Sequence, residues 1–63
     1  MEAKDLIWRL LDRLAEEKRV FAESYSLVDP KIHKDLQQAI LECEQLINTQ
    51  QNILRRIQRK YDP

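Results

Sequence analysis

The sequence predicts an all-α fold, an antiparallel two-helix hairpin that assembles with a second copy into a dimeric four-helix bundle. Three observations carry this expectation. Apolar residues recur at spacings of three, four and seven through two long segments, which is the helical period and not the alternation of a strand. Glycine is absent, and the only proline inside the chain is Pro30, so the stretch 26–31 is the one interruption between two helix-forming runs. Finally, a chain of 63 residues buries little of its own surface and needs reinforcement. Its single cysteine cannot close an intramolecular disulfide, and one histidine with one cysteine is too little for a structural metal site, so association is the reinforcement that remains. No metal or other cofactor is expected. The chain reads as one domain, 1–63, with helix 1 at about 4–25, the turn at about 26–29 and helix 2 at about 30–60.

In helix 1 the acids Glu2 and Asp5 suit the positive end of the helix dipole. Its apolar stripe runs through Leu6, Ile7, Leu10, Leu11, Leu14, Phe21, Tyr25 and Val28. Asp5 with Arg9, Arg13 with Glu17, and Arg19 with Glu23 stand four residues apart. Such pairs add only a few tenths of a kcal/mol each, so they mark the solvated face.

The turn follows from Asp29 and Pro30. Proline disfavours the helical conformation in the residue before it, and its fixed φ and missing N–H suit the first position of a new helix. Asp29 is then the N-cap of helix 2, its carboxylate accepting from free N–H groups of the next turn.

Helix 2 carries Ile32, Leu36, Ala39, Ile40, Cys43, Leu46, Ile47, Ile53, Leu54, Ile57 and Tyr61 at helical spacing. Its apolar blocks are divided by the uncharged run Asn48-Thr49-Gln50-Gln51-Asn52. Gln50 continues the seven-residue spacing of Leu36, Cys43 and Ile57. It is either an interior amide that fixes register, as in coiled coils, or part of a frayed or bent segment.

A hairpin folded at 26–29 places Phe21 against Leu36, Leu14 against Cys43, Leu10 against Ile47, and Ile7 near Gln50. Helix 1 then spans about 22 residues and roughly 33 Å, while helix 2 spans about 30 residues and roughly 45 Å. About two turns bearing Ile53, Leu54, Ile57 and Tyr61 overhang without cover, and soluble proteins rarely leave such a patch bare. Trp8, Leu11, Leu41 and Leu46 broaden the stripes beyond what one partner helix covers. These eight residues are the predicted partner-binding surface, with a second copy or another protein as the partner.

Candidate chemistry is sparse. Cys43 falls on the apolar seam, with no histidine near it in sequence and no glycine-rich or helix-N-terminal setting, and reads as core. His33 has no nucleophile beside it and reads as a surface residue. No apolar run approaches the about 20 residues a membrane-crossing helix needs. One thiol and no secretory leader pattern fit a reduced, cytoplasmic setting. Arg55, Arg56, Arg59 and Lys60 are the nucleic-acid candidates, although they equally complement the helix dipole. Eleven basic residues balance eleven acidic ones, so no overall field draws the chain to nucleic acid, which is an unlikely partner.

Two resemblances bear on function. In length and architecture the chain is similar to the plasmid copy-number RNA-binding proteins of the Rop type, which implies an RNA-binding four-helix bundle. In sequence, residues 23–32 (ESYSLVDPKI) with Leu46-Ile47-Asn48 resemble the hairpin region of the small Bacillus aspartyl-phosphate phosphatases that regulate sporulation. That likeness implies a bacterial protein acting on a two-component response regulator, as phosphatase or inhibitor. The Ser-Gln-x-x-Asp signature of that family is not preserved. Counted from Pro30, Gln37 takes the glutamine position while Leu36 and Ile40 replace the serine and aspartate. Counted back from Leu46, Glu44 takes the aspartate position while Ile40 and Leu41 replace Ser-Gln. The residues themselves favour a non-enzymatic helical-hairpin module for protein–protein interaction or regulation.

Overall fold

Ala3–Leu27 winds into α1 and Lys34–Tyr61 into α2, and the two helices pack against each other as a hairpin. The structure is a computed structural model describing residues 2–61; positions 1, 62 and 63 of the expected domain lie outside the described residues. The outline is a rod of 47 × 16 × 14 Å with a radius of gyration of 14.7 Å, against about 10.6 Å for a compact domain of this length. Two helices side by side make a single layer, so each has one neighbour and otherwise faces solvent.

The ends of α1 are closed mainly by backbone. The Glu2 carbonyl accepts from the Asp5 and Leu6 N–H groups at 3.1 and 3.2 Å, and no side chain caps that end. At the other end the Val28 N–H donates to the open Tyr25 carbonyl at 3.4 Å, while the Ser24 and Ser26 hydroxyls donate back to the carbonyls of Val20 and Glu23. On the solvated face Arg13 pairs with Glu17, while Arg19 pairs with both Glu16 and Glu23. Hydrogen bonding and charge from Glu16, then the charge of Glu23, raise the Arg19 guanidinium above its ordinary value.

The turn is longer than expected, and that changes the helix pairing. The Asp29 carboxylate does accept from the Lys31 N–H, at 2.9 Å, and the Asp29 carbonyl accepts from Ile32 and His33 at 3.1 and 2.8 Å. This is one helical turn that does not continue. A separate start follows, with the His33 carbonyl accepting from Gln37 at 3.0 Å and the Asp35 carboxylate accepting from Leu36 at 2.8 Å. Asp29 therefore caps an isolated turn, α2 begins at Lys34 instead of about 30, and α1 runs on to Leu27 instead of about 25.

Moving the reversal toward residue 31 slides one helix along the other. Leu10, Arg13 and Leu14 now share a groove with Gln50, Ile53 and Leu54, so Leu14 faces the level of Gln50 and not that of Cys43. The buried side chains are Ile7, Leu11, Ile40 and Ile47, flanked by half-buried Leu14, Phe21, Cys43 and Leu54. Leu10 and Leu36, expected in the seam, are 44% and 49% exposed. The expected overhang is also corrected. With 25 residues in α1 and 28 in α2, the lengths differ by three residues, or about 4.5 Å. The run 48–52 stays within α2, with the Thr49 hydroxyl donating to the Gln45 carbonyl at 3.2 Å. Gln50 is exposed, so it neither frays the helix nor lies inside the hairpin.

Ile40→Ala or Ile47→Ala should lower unfolding free energy by about 2 to 5 kcal/mol, the usual cost of truncating a buried Ile. Ile32→Ala, in the turn and exposed, should stay within about 0.5 kcal/mol. Urea melts at one fixed protein concentration check both, because association would otherwise shift the midpoints.

Candidate protein–protein interface

The seam of α2 follows Gln37, Ile40, Glu44, Ile47, Gln51, Leu54 and Gln58, spaced alternately by three and four residues and all buried or half-buried. Every second member is polar. A second run with the same spacing lies about 100° around the helix and passes through Leu36, Cys43, Leu46, Gln50, Ile53 and Ile57. It is mostly bare: Leu46 is 64% exposed, and Leu36, Ile53 and Ile57 are each close to half exposed.

Helix α1 repeats this division. Its seam runs through Ile7, Leu11, Leu14, Lys18 and Phe21. About 100° away stands a stripe of Leu6, Leu10, Arg13, Glu17, Val20 and Leu27, all exposed. Both stripes lie on one side of the hairpin, because Leu10 and Arg13 from the first border the same groove as Gln50 and Ile53 from the second. Leu14 and Leu54 floor this groove, whose volume is about 330 Å³. Two helices thus present one continuous, largely apolar face, with Arg13, Glu17 and Gln50 as a polar band across its middle.

The predicted partner surface is divided by this geometry. Leu46, Ile53 and Ile57 lie on the open face, and Leu54 contributes to its floor. Leu11 is buried in the core at 8% exposure and Leu41 is half-buried, so neither is displayed. Trp8 is half-exposed but emerges from the opposite side of α1, two residues and about 200° from Leu10. Tyr61 is partly exposed at the end of the rod, with Lys60 Nζ 5.9 Å from its ring centroid. Sequence reasoning left Leu6, Val20 and Leu27 out of the surface. Their shared spacing with Leu10 was the available signal, and it becomes legible only once the seam has been located.

The basic residues share an arc of about 140° over the last turns of α2, away from the seam. Arg55 and Arg59 project to the solvent side of α2, Arg56 stands at the edge of the open stripe, and Lys60 at its end; all four are exposed. Among the described residues no group of His, Cys, Asp and Glu is placed to hold a metal ion, and no helix is long and apolar enough to cross a membrane. Of the two signature registers for an aspartyl-phosphate phosphatase, one puts core residue Ile40 where the carboxylate would stand, and the other puts Glu44 half-buried in the seam. No protein family, curated protein or solved structure matches this chain.

Because the net charge is zero, the protein should bind duplex RNA no more tightly than a Kd of about 10⁻⁴ M at physiological salt, the weak end of non-specific binding. Filter binding over a salt series measures this.

Proposed function

We propose that this chain is a non-enzymatic helical-hairpin interaction module that works by presenting its open face to a protein partner. The observation that carries the proposal is a bare apolar face along one side of a hairpin that exposes more surface than a compact chain would. The hairpin exposes 5247 Å², whereas a compact monomer of 7.6 kDa exposes about 4300 Å². The excess of roughly 900 Å² is close to the about 800 Å² that each partner contributes to a standard interface. The exposed apolar side chains are mostly gathered on one side. Leu6, Leu10, Val20 and Leu27 of α1 and Leu36, Leu46, Ile53 and Ile57 of α2 all lie on the open side. Scattered exposed leucines need no explanation, but a contiguous patch marks a contact surface.

A covered face also accounts for the thin core. Every second seam position of α2 is Gln or Glu, and Lys18 adds a cation from α1, so the intramolecular contact is half polar. Packing a further layer on Leu36, Leu46 and Ile53 supplies the apolar burial that the hairpin lacks.

Replacing Ile53 and Ile57 together by Glu puts charges on the face toward the end of α2 and leaves Ile7, Leu11, Ile40 and Ile47 untouched. The expected result is a chain that keeps its helical circular dichroism but loses the assemblies that the parent forms, read by sedimentation. A variant that assembles as the parent does would place the contact surface elsewhere.

A further inference from the structure

We infer that the occupant of the open face is a second copy of this chain, stacked face to face with the two turns at opposite ends. Each α1 then lies antiparallel to the other copy's α1, and each α2 to the other α2. This deepens the interaction proposal above and rests on it.

A net charge of zero removes the self-repulsion that would oppose stacking two copies. Two symmetric stackings bring the stripes into contact. With the turns at the same end, α1 lies on the second copy's α2, and Leu10 meets Ile53 while Leu27 meets Leu36. With the turns at opposite ends, Leu10 meets Val20, Cys43 meets Ile53, and Ala39 meets Ile57. Apolar matching is fuller with the turns at the same end, since the opposite-end stacking sets Leu6 over Ser24 and Leu46 over Gln50, and the charged residues along the edges of the stripes weigh the other way. In the same-end stacking Arg9 borders Arg56 and Glu23 borders Glu42, each twice by symmetry, against the one opposite-charge pair of Asp5 with Lys60, so like charges prevail along the edges. In the opposite-end stacking Arg9 borders Glu23 and Glu42 borders Arg56, again each twice. Complementary edges set orientation, and like charges reject the alternative.

The interior of the opposite-end stacking is also consistent. Its two-fold axis crosses α1 between Arg13 and Glu17 and α2 between Leu46 and Gln50. The shared groove puts Arg13 and Gln50 at the same level of the rod, so one axis serves both helices. Arg13 of each copy meets Glu17 of the other, a pair already matched within one chain at 3.4 Å. The two Gln50 side chains lie about 6 Å apart along the rod, close enough for their amides to join, which sets register as polar residues do in coiled coils. One like-charged contact remains where Glu16 approaches Glu16, and each of these is held by its own Arg19. Lys60 meets Leu36 at the rod's ends, where its ammonium reaches water.

Two experiments test the arrangement. At low ionic strength, Arg56→Glu should weaken dimerisation about tenfold, since it loses two opposite-charge edges and gains two repulsive ones; the swap Glu42→Arg with Arg56→Glu should restore the parent affinity. In the same-end stacking Arg56→Glu would face Arg9 and would tighten the dimer instead. Cys43, the only cysteine, supplies a second measurement. With Ile53→Cys, mild oxidation should give a covalent dimer through Cys43 of one copy and position 53 of the other. Val20→Cys, which meets Cys43 only in the same-end stacking, should not. The unaltered chain should stay uncrosslinked, because its two Cys43 thiols are about 15 Å apart along the rod. Tightening by Arg56→Glu, or crosslinking by Val20→Cys and not Ile53→Cys, overturns the orientation. A parent that sediments as a monomer at millimolar concentration overturns the second copy as occupant and assigns the face to a different protein. Neither result coincides with failure of the interaction proposal, which shows as assembly surviving the Ile53 and Ile57 substitutions.

Discussion

A helix with an apolar arc broader than one neighbour can cover governs this molecule. On α2 the residues facing α1 and the residues of the bare stripe lie about 100° apart, near the right angle between the two neighbours of any helix in a four-helix bundle. α1 has the same division, turned to the same side. A hairpin meets only one of the two demands. Its rod shape, its few buried side chains and its flat apolar face are all consequences of that shortfall.

The polar seam positions show how far the helix pair depends on what lies beyond it. Gln37, Glu44, Gln51 and Gln58 alternate with Ile40, Ile47 and Leu54 where α2 meets α1. Such residues stay half-buried, with their polar ends in water and their stems over neighbouring apolar surface. The side of the hairpin opposite the open face carries exposed Asp12, Arg19, Gln45, Asn48, Asn52 and Arg55, so that one face of the rod is left apolar and the other is not. Trp8 is the exception on the wettable side, and its N–H suits a position where one part of the ring is covered and the other is not.

The number of helices and the breadth of their stripes were legible in the sequence because hydrophobic periodicity is a local property. Register was not, for a related reason. A seven-residue repeat looks the same when slid by seven, so Leu14 satisfies the pattern opposite Cys43 as well as opposite Gln50. Only the length of the turn decides between them. Asp29-Pro30 carries every mark of a helix start, and the chain does begin a helical turn there, but a second start at His33 and Asp35 takes over. The shift moved Leu10 and Leu36 out of the seam and removed the overhang. It left the apolar face bare for a different reason, lateral instead of terminal.

The near-equal helices have one more consequence. Ala3 and Tyr61 bring the chain in and out side by side at the same end of a rod 47 Å long. Two packed helices stand about 8 to 10 Å apart, which is a gap that a surface loop of another protein spans without rearrangement. The hairpin therefore has the outline of a portable spur. Spliced into such a loop, it would project from its host with both long faces accessible, carrying its apolar face clear of the surface that holds it.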